Sequence, residues 1–541
     1  MTSRRTLLTG LGAASGAAFL SWDAAIRSAH AQTPPGVIVM AKQIDDIITL
    51  DPAESFEYTG GEICGNVYQK LVTTPNEEPS RLTGDLAESW TASDDAKTFT
   101  FRLKPGQKFA SGKEVTAEDV AYSLQRVVAL NKSPAFIINQ FGFNKDNMAQ
   151  SIRATDPRTV VLTTAEPTAT SFLLYCLSAA VGSIVEKAVV SARAANDAQG
   201  NSDWGNAWMK GNSAGSGSYR IVSWRASEAV TLEANPNAAH PPATRRIIMR
   251  HVADPSAQLL GLQRGDYDMA RNLASDQIKG LSTDSNFTVL STRKASLLYV
   301  AMNQKNPILA KPQVRQAIKM AIDYEGIQRN IVPSNYAVHQ AFLPEGLPGA
   351  VTEKPFKLDV AGAKRLLAEA GHPDGFECSF DFFSGAPVGD IAQALQANLA
   401  AIGIRPRMLP GEMRSVITKT RARQHDLALL RWGSDYFDPH SNAEAFSMNP
   451  DNGDDARNKT LAWRSSWAIP ELTARTLAAV KETDTAKRVA MYEAIQREHQ
   501  QSSPFAVMLQ ELEVAVTRKA VRGMQIGVLS DRTSYATIAK A

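Results

Sequence analysis

Strand-like and helix-like segments alternate along this chain from Val37 to Leu509, and that ordering restricts it to an α/β architecture. Short runs with strand character are Val37–Met40, Phe99–Leu103, Thr159–Leu162, Tyr219–Val222, Leu297–Met302 and Phe505–Leu509. Between them lie helical patterns with legible ends. Thr116 and Asp119 form a capping box ahead of Val120, Leu124 and Val127, and Pro312 opens a helix carrying Val314, Ile318 and Ala321 on one face. Asp359 opens another helix, which stops at Gly371, and a further one runs from Asp390 to Gly403.

The chain starts with Ser3-Arg4-Arg5-Thr6-Leu7-Leu8, a mild Gly/Ala-rich segment, and Ala29-His30-Ala31, which together predict a cleaved twin-arginine export signal over residues 1–31. The apolar part is short and glycine-rich, against the roughly 20 apolar residues that a membrane span needs. Cleavage would remove three arginines and one aspartate, taking the formal charge from +3 to near neutrality. Charges are evenly mixed and no basic run is interleaved with aromatics, so no nucleic-acid footprint is expected. A chain of 541 residues should split into two or three domains.

Cys64, Cys176 and Cys378 fit no zinc or redox spacing. Cys378 falls on the apolar face of an alternating strand, while a Cys64–Cys176 disulfide is open in an oxidising compartment. No two histidines have metal-ligand helical spacing, and no phosphate-binding glycine loop is present, so neither a metal nor a cofactor is expected. Gly211-Asn212-Ser213-Ala214-Gly215 matches the hydrolase elbow literally, but a strand follows it where a helix is required. A serine hydrolase using Ser213 is therefore the disfavoured alternative, and a binding protein, not an enzyme, is the expectation.

The richest stretch is Arg431-Trp432-Gly433-Ser434-Asp435-Tyr436-Phe437-Asp438-Pro439, which follows an apolar run and reads as a strand emptying into an aromatic, acidic turn. A carboxylate at Asp435, between Trp432 and Tyr436, suits a ligand ammonium, with backbone groups such as those of Gly433 available to an extended ligand. Ordinary turn chemistry, with Asp438-Pro439 as a turn starter, is the competing role.

Several segments match one family in one order. They are Leu50-Asp51-Pro52-Ala53, Asp85-Leu86-Ala87-Glu88-Ser89-Trp90, Thr98 to Gly106, Val115 to Val120, Gly215 to Tyr219, Leu298 to Asn303, and Ala368 to Gly375. The chain resembles the periplasmic substrate-binding proteins of ABC importers, in the cluster that binds oligopeptides, dipeptides and nickel. The resemblance implies a two-lobed Venus-flytrap α/β fold with mixed β-sheets flanked by helices and an insertion domain. Lobe I would comprise residues 32–74, 212–296 and 503–541, the insertion 75–211, and lobe II 297–502.

It further implies a periplasmic monomer that captures a short peptide or another small amine-bearing ligand and delivers it to a membrane permease with its ATPase subunits. Relatives with peptide ligands carry Trp-x-x-Asp-x-x-Asp-Pro, which Trp432, Asp435, Asp438 and Pro439 match, and their first Asp binds the α-ammonium. Phe56 and, on the crossover strands, Tyr299 and Phe505 are the remaining candidates for ligand walls, with buried packing as the competing role. The arginine that pairs with a dipeptide carboxylate in one branch should fall within Phe383-Ser384-Gly385-Ala386-Pro387, which has none. Arg271, Arg421, Arg423 and Arg431 are the nearest substitutes. A non-peptide ligand, such as an opine-like or amino-sugar conjugate or a metal chelate near His440, is the alternative within the fold.

Overall fold

The computed structural model describes residues 33–196, 200–456 and 458–541. The predicted export signal lies outside the described residues.

Two long strands, Phe287–Met302 and Phe505–Arg518, run antiparallel at the centre of an eleven-stranded sheet. On one side follow Leu427–Gly433, Glu377–Phe383 and Arg405–Gly411, on the other Met269–Ala270, Val37–Lys42, Arg246–His251, Ala229–Ala234 and Tyr219–Arg225, and the short Tyr336–Val338 pairs separately with Phe505–Arg518. Parallel pairs such as Val37–Lys42 with Arg246–His251 and antiparallel ones such as Leu427–Gly433 with Phe287–Met302 make the sheet mixed. Every strand segment predicted from the sequence falls within a strand. A separate four-stranded sheet, built from Ala87–Ala92, Thr98–Leu103, Thr159–Thr163 and Ile152–Asp156, belongs to the segment between residues 75 and 211.

Helix ends follow the local chemistry. Thr116 and Asp119 make the reciprocal capping box of Ala117–Leu130. Pro312 is the first residue of Pro312–Ala321, where its missing N–H costs nothing, and the Asp359 side chain accepts from Gly362 N–H at the start of Val360–Glu369. Gly371 adopts φ +85°, the left-handed conformation that lets the chain leave that helix without a Cβ penalty.

Apolar side chains collect into distinct cores. One is centred on Phe99, Phe101 and Leu124, a second on Leu298, Val314 and Phe380, and a third on Ile38, Met249 and Tyr535. A fourth, rich in aromatics, joins Tyr299, Phe446, Phe505 and Trp467. Cys378 packs in the second core as expected for its strand face. The disulfide left open for Cys64 and Cys176 is not formed, because all three cysteines are free and buried.

Candidate functional site

The register between the two long strands breaks between Arg293 and Leu297. Released from that ladder, Ala295 donates its N–H to Val528 O (2.9 Å) and accepts from Ser434 N–H (2.8 Å), which carries the end of the Leu427–Gly433 strand alongside it. This junction forms one wall of a cavity of about 210 Å³. Facing it are Ser55, Phe56, Glu57 and Tyr58 from the start of the Tyr58–Val67 helix, and Ser530 and Asp531 from the C-terminal segment.

Asp435 and Gly433 line this cavity, as does Phe56, an exposed aromatic side chain. The Asp435 backbone N–H donates to Ser441 Oγ (2.8 Å), but its carboxylate has neither a hydrogen bond nor an ion pair from any described residue. Burial, with a smaller contribution from Glu444, pushes its pKa up to about 7. Such a carboxylate gains most from a cation brought to it. Gly433 is needed by its contact: a Cβ there would stand 2.3 Å from the Tyr58 hydroxyl.

The other predicted walls lie elsewhere. Tyr299 and Phe505 are fully buried in the aromatic core, stacked edge-on with each other and with Phe446. Their inward-facing strand positions fill the interior instead of the cavity. Trp432 turns its ring onto Phe446, away from the cavity, as strand alternation from Gly433 requires. Tyr436 inserts into the core of the 75–211 segment beside Phe172. These four residues support the site from behind; none lines it.

Asp438 also has a role that the turn alone could not reveal. Its side chain caps the helix Pro439–Ser447 through His440 N–H and accepts both terminal nitrogens of Arg488 at 2.6 and 2.7 Å, with both partners buried. His440 is buried against Phe172 and bonded to Tyr492 Oη (3.0 Å). Burial holds its pKa down at about 4, so it is neutral. Among the described residues no group of His, Cys, Asp or Glu is arranged to hold a metal ion. Ser213 Oγ accepts from Ile221 N–H (3.0 Å), which gives that hydroxyl a backbone role.

The arginines named from sequence are engaged by the protein. Arg271 is buried between Glu62 and Glu513, Arg423 binds Asn452 and Asp454 and lies over Trp463, and Arg431 pairs with Glu511 at 2.5 Å. Arg421 is exposed at the end of Met413–Arg421 and does not line this cavity. The cation that does line the cavity is Lys294, which sequence reasoning missed. It ion-pairs with Glu513 at 2.7 Å. No local motif marks it, since Glu513 lies in a distant part of the chain.

Residues 81–454 match the profile of the bacterial extracellular solute-binding proteins, family 5 Middle. The chain is 30% identical over 419 residues to a probable D,D-dipeptide-binding periplasmic protein of Escherichia coli K12, covering 76% of this chain and 77% of that protein. It is 26% identical over 469 residues to di/tripeptide-binding protein 2 of Pseudomonas aeruginosa, covering 83% and 84% of the two chains. Among solved structures, the ABC transporter-associated periplasmic binding protein DppA of Helicobacter pylori, in complex with the peptide STSA, superposes with a TM-score of 0.75 at 23% identity. That match covers 94% of this chain and 98% of the other, and establishes the fold.

Proposed function

The chain belongs to the family 5 bacterial extracellular solute-binding proteins, and from that membership we propose that it captures a short peptide, with Asp435 as the anchor for its α-ammonium. It is a solute-binding component of an ABC importer, and the periplasm is where such a component works. The observation that carries the ligand reading is the unpaired Asp435 carboxylate in a cavity flanked by a sheet edge and aromatic side chains. A half-buried carboxylate without a partner gains a charge-assisted hydrogen bond from an ammonium that a neutral group cannot supply, so an ammonium is selected. The free backbone at the end of Leu427–Gly433 offers an extended ligand the hydrogen bonds that peptide recognition by strand addition uses.

We read residues 33–74, 212–296 and 503–541 as one lobe, 75–211 as its insertion and 297–502 as the second lobe. The core centred on Leu298, Val314 and Phe380 lies almost wholly in the second lobe and that centred on Phe99 and Phe101 mostly in the insertion, which supports that division. The ligand would hold the lobes together by binding their closed arrangement better than the open one. A membrane permease with its ATPase subunits is the partner this reading requires, and a monomer suffices for it.

Native mass spectrometry of gently purified protein, followed by denaturation and identification of what is released, tests the reading. A mixture of two- to five-residue peptides is expected, in line with the few-residue ligands named for the relatives. Release of a single non-peptide compound would overturn the peptide class and leave Asp435 as an amine selector.

A further inference from the structure

We propose that Lys294 is the anchor for a ligand carboxylate, so that the cavity recognises a zwitterion from both ends. The proposal rests on the reading of Asp435 as the amine anchor and adds the opposite pole.

Position comes first. Lys294, Ala295 and Ser296 are the stretch released where the long strands lose register, and all three line the same cavity as Asp435. Ser296 faces Gly433 across the antiparallel ladder, and Ser434 N–H still bonds Ala295 O one step further on. Continuing that register brings Lys294 opposite Asp435. The two charges nonetheless stay apart: no ion pair joins them, and Lys294 turns to Glu513. A cation and an anion are thus presented separately within one cavity, as the two ends of a short zwitterion require.

Charge balance supports the assignment. Lys294 is the end member of a buried chain in which Lys42 pairs with Glu62, Arg271 pairs with Glu62 and Glu513, and Glu513 pairs with Lys294. Three cations meet two carboxylates, so one positive charge is uncompensated within the chain of pairs. Asp531 also lines the cavity, but it is held by Lys70 at 2.9 Å with the Arg532 guanidinium at 3.9 Å. Lys294 is therefore where the surplus meets the open space.

Only one of its donors is strongly engaged. An ammonium has three N–H donors. One makes the 2.7 Å contact with Glu513, and the others reach only Ser530 Oγ at 3.3 Å and Gly527 O at 3.4 Å, long for charged hydrogen bonds. Two residues on, Ser296 Oγ is buried with only the Tyr58 hydroxyl beside it. A carboxylate accepting from Lys294 Nζ and Ser296 Oγ would satisfy both groups. This supplies the role for which the loop Phe383–Pro387 lacks an arginine.

Calorimetry with three probes tests the assignment: an alanyl-alanine dipeptide, in both D,D and L,L forms, its C-terminal amide and its N-acetyl derivative. The free acid should bind about tenfold or more tightly than the amide, the size of one charge-assisted hydrogen bond. Lys294→Gln should bring the acid down to the amide's affinity and leave the amide unchanged. Because Lys294→Gln also disturbs the ion chain, Ser296→Ala provides an independent check, and it should narrow the acid-to-amide ratio without loss of folding. Equal binding of acid and amide by the wild type, or a loss in Lys294→Gln that is the same for both, overturns the carboxylate anchor. If N-acetylation alone abolishes binding, the Asp435 reading stands while the Lys294 assignment fails. If the wild type binds none of the probes, both fall.

Discussion

Arg488 gives both terminal nitrogens to Asp438, at 2.6 and 2.7 Å, and none to Asp435, three residues earlier in the same turn. The two aspartates of the motif thus have opposite fates. One is neutralised by the protein and fixes the turn; the other is held open beside the cavity.

Replacing Asp435 with Asn should weaken binding of any ligand with a free ammonium by about tenfold or more, the loss of one charged hydrogen bond. The wild type should also show a characteristic pH profile. With its pKa pushed up to about 7 in the unliganded site, Asp435 is protonated below that value and must give up its proton to pair with a cation. Affinity should therefore fall as pH drops through about 7 and fall again above about 8, where an α-amino group loses its proton. For the unliganded fold the sign reverses: the raised pKa makes this residue's contribution most favourable below the ordinary value of 3.8 and lost as pH rises through about 7. Calorimetry from pH 5.5 to 9 checks the profile, whose acid limb should vanish in Asp435→Asn.

Removing one partner of the Asp438–Arg488 pair should destabilise the protein by about 3–5 kcal/mol, because the other charge stays buried. Arg488→Met and Asp438→Asn should each lower the melting temperature. The double variant Asp438→Leu with Arg488→Met should recover part of the loss, since neither charge remains. Thermal melts of the three variants decide this.

Gly433→Ala should impair binding by crowding the Tyr58 hydroxyl, which lies 2.3 Å from where the new Cβ would be. Tyr58 is half exposed, so its ring can yield and the fold should survive. Adding Tyr58→Phe removes the clashing oxygen and should restore part of the affinity, giving a non-additive cycle in titrations with one peptide.

All three thiols should be silent in the native protein. Burial pushes the pKa of Cys64 and of Cys378 up to about 12 and raises that of Cys176 as well. A maleimide at pH 8 should label none of them before denaturation and three afterwards, and reductant should leave the melting temperature unchanged.

Local chemistry was legible because it acts over a few residues. The Thr116–Asp119 box, Pro312 at a helix start and Gly371 at a helix stop are all set by neighbours within one turn. The Trp432-to-Pro439 motif is local in the same way, and it is what singles out Asp435 as the proposed anchor. Lys294 and Arg488 were not legible, since their meaning depends on Glu513 and Asp438, which the fold brings from far along the chain. Tyr299 and Phe505 were misplaced as walls because alternation tells which residues share a face but not which face meets the cavity.

The strand Phe505–Arg518 lies between Phe287–Met302 and Met269–Ala270, and near the end of the chain Lys540 Nζ reaches back to Thr33 O at 2.7 Å. A growing polypeptide halted on the ribosome before Phe505 would therefore leave the large sheet in two unjoined pieces, with the cavity lacking the Ser530–Asp531 wall. Helices and the smaller sheet can form earlier in synthesis, but the cavity is closed in only after the codons for Ser530 and Asp531 have been read.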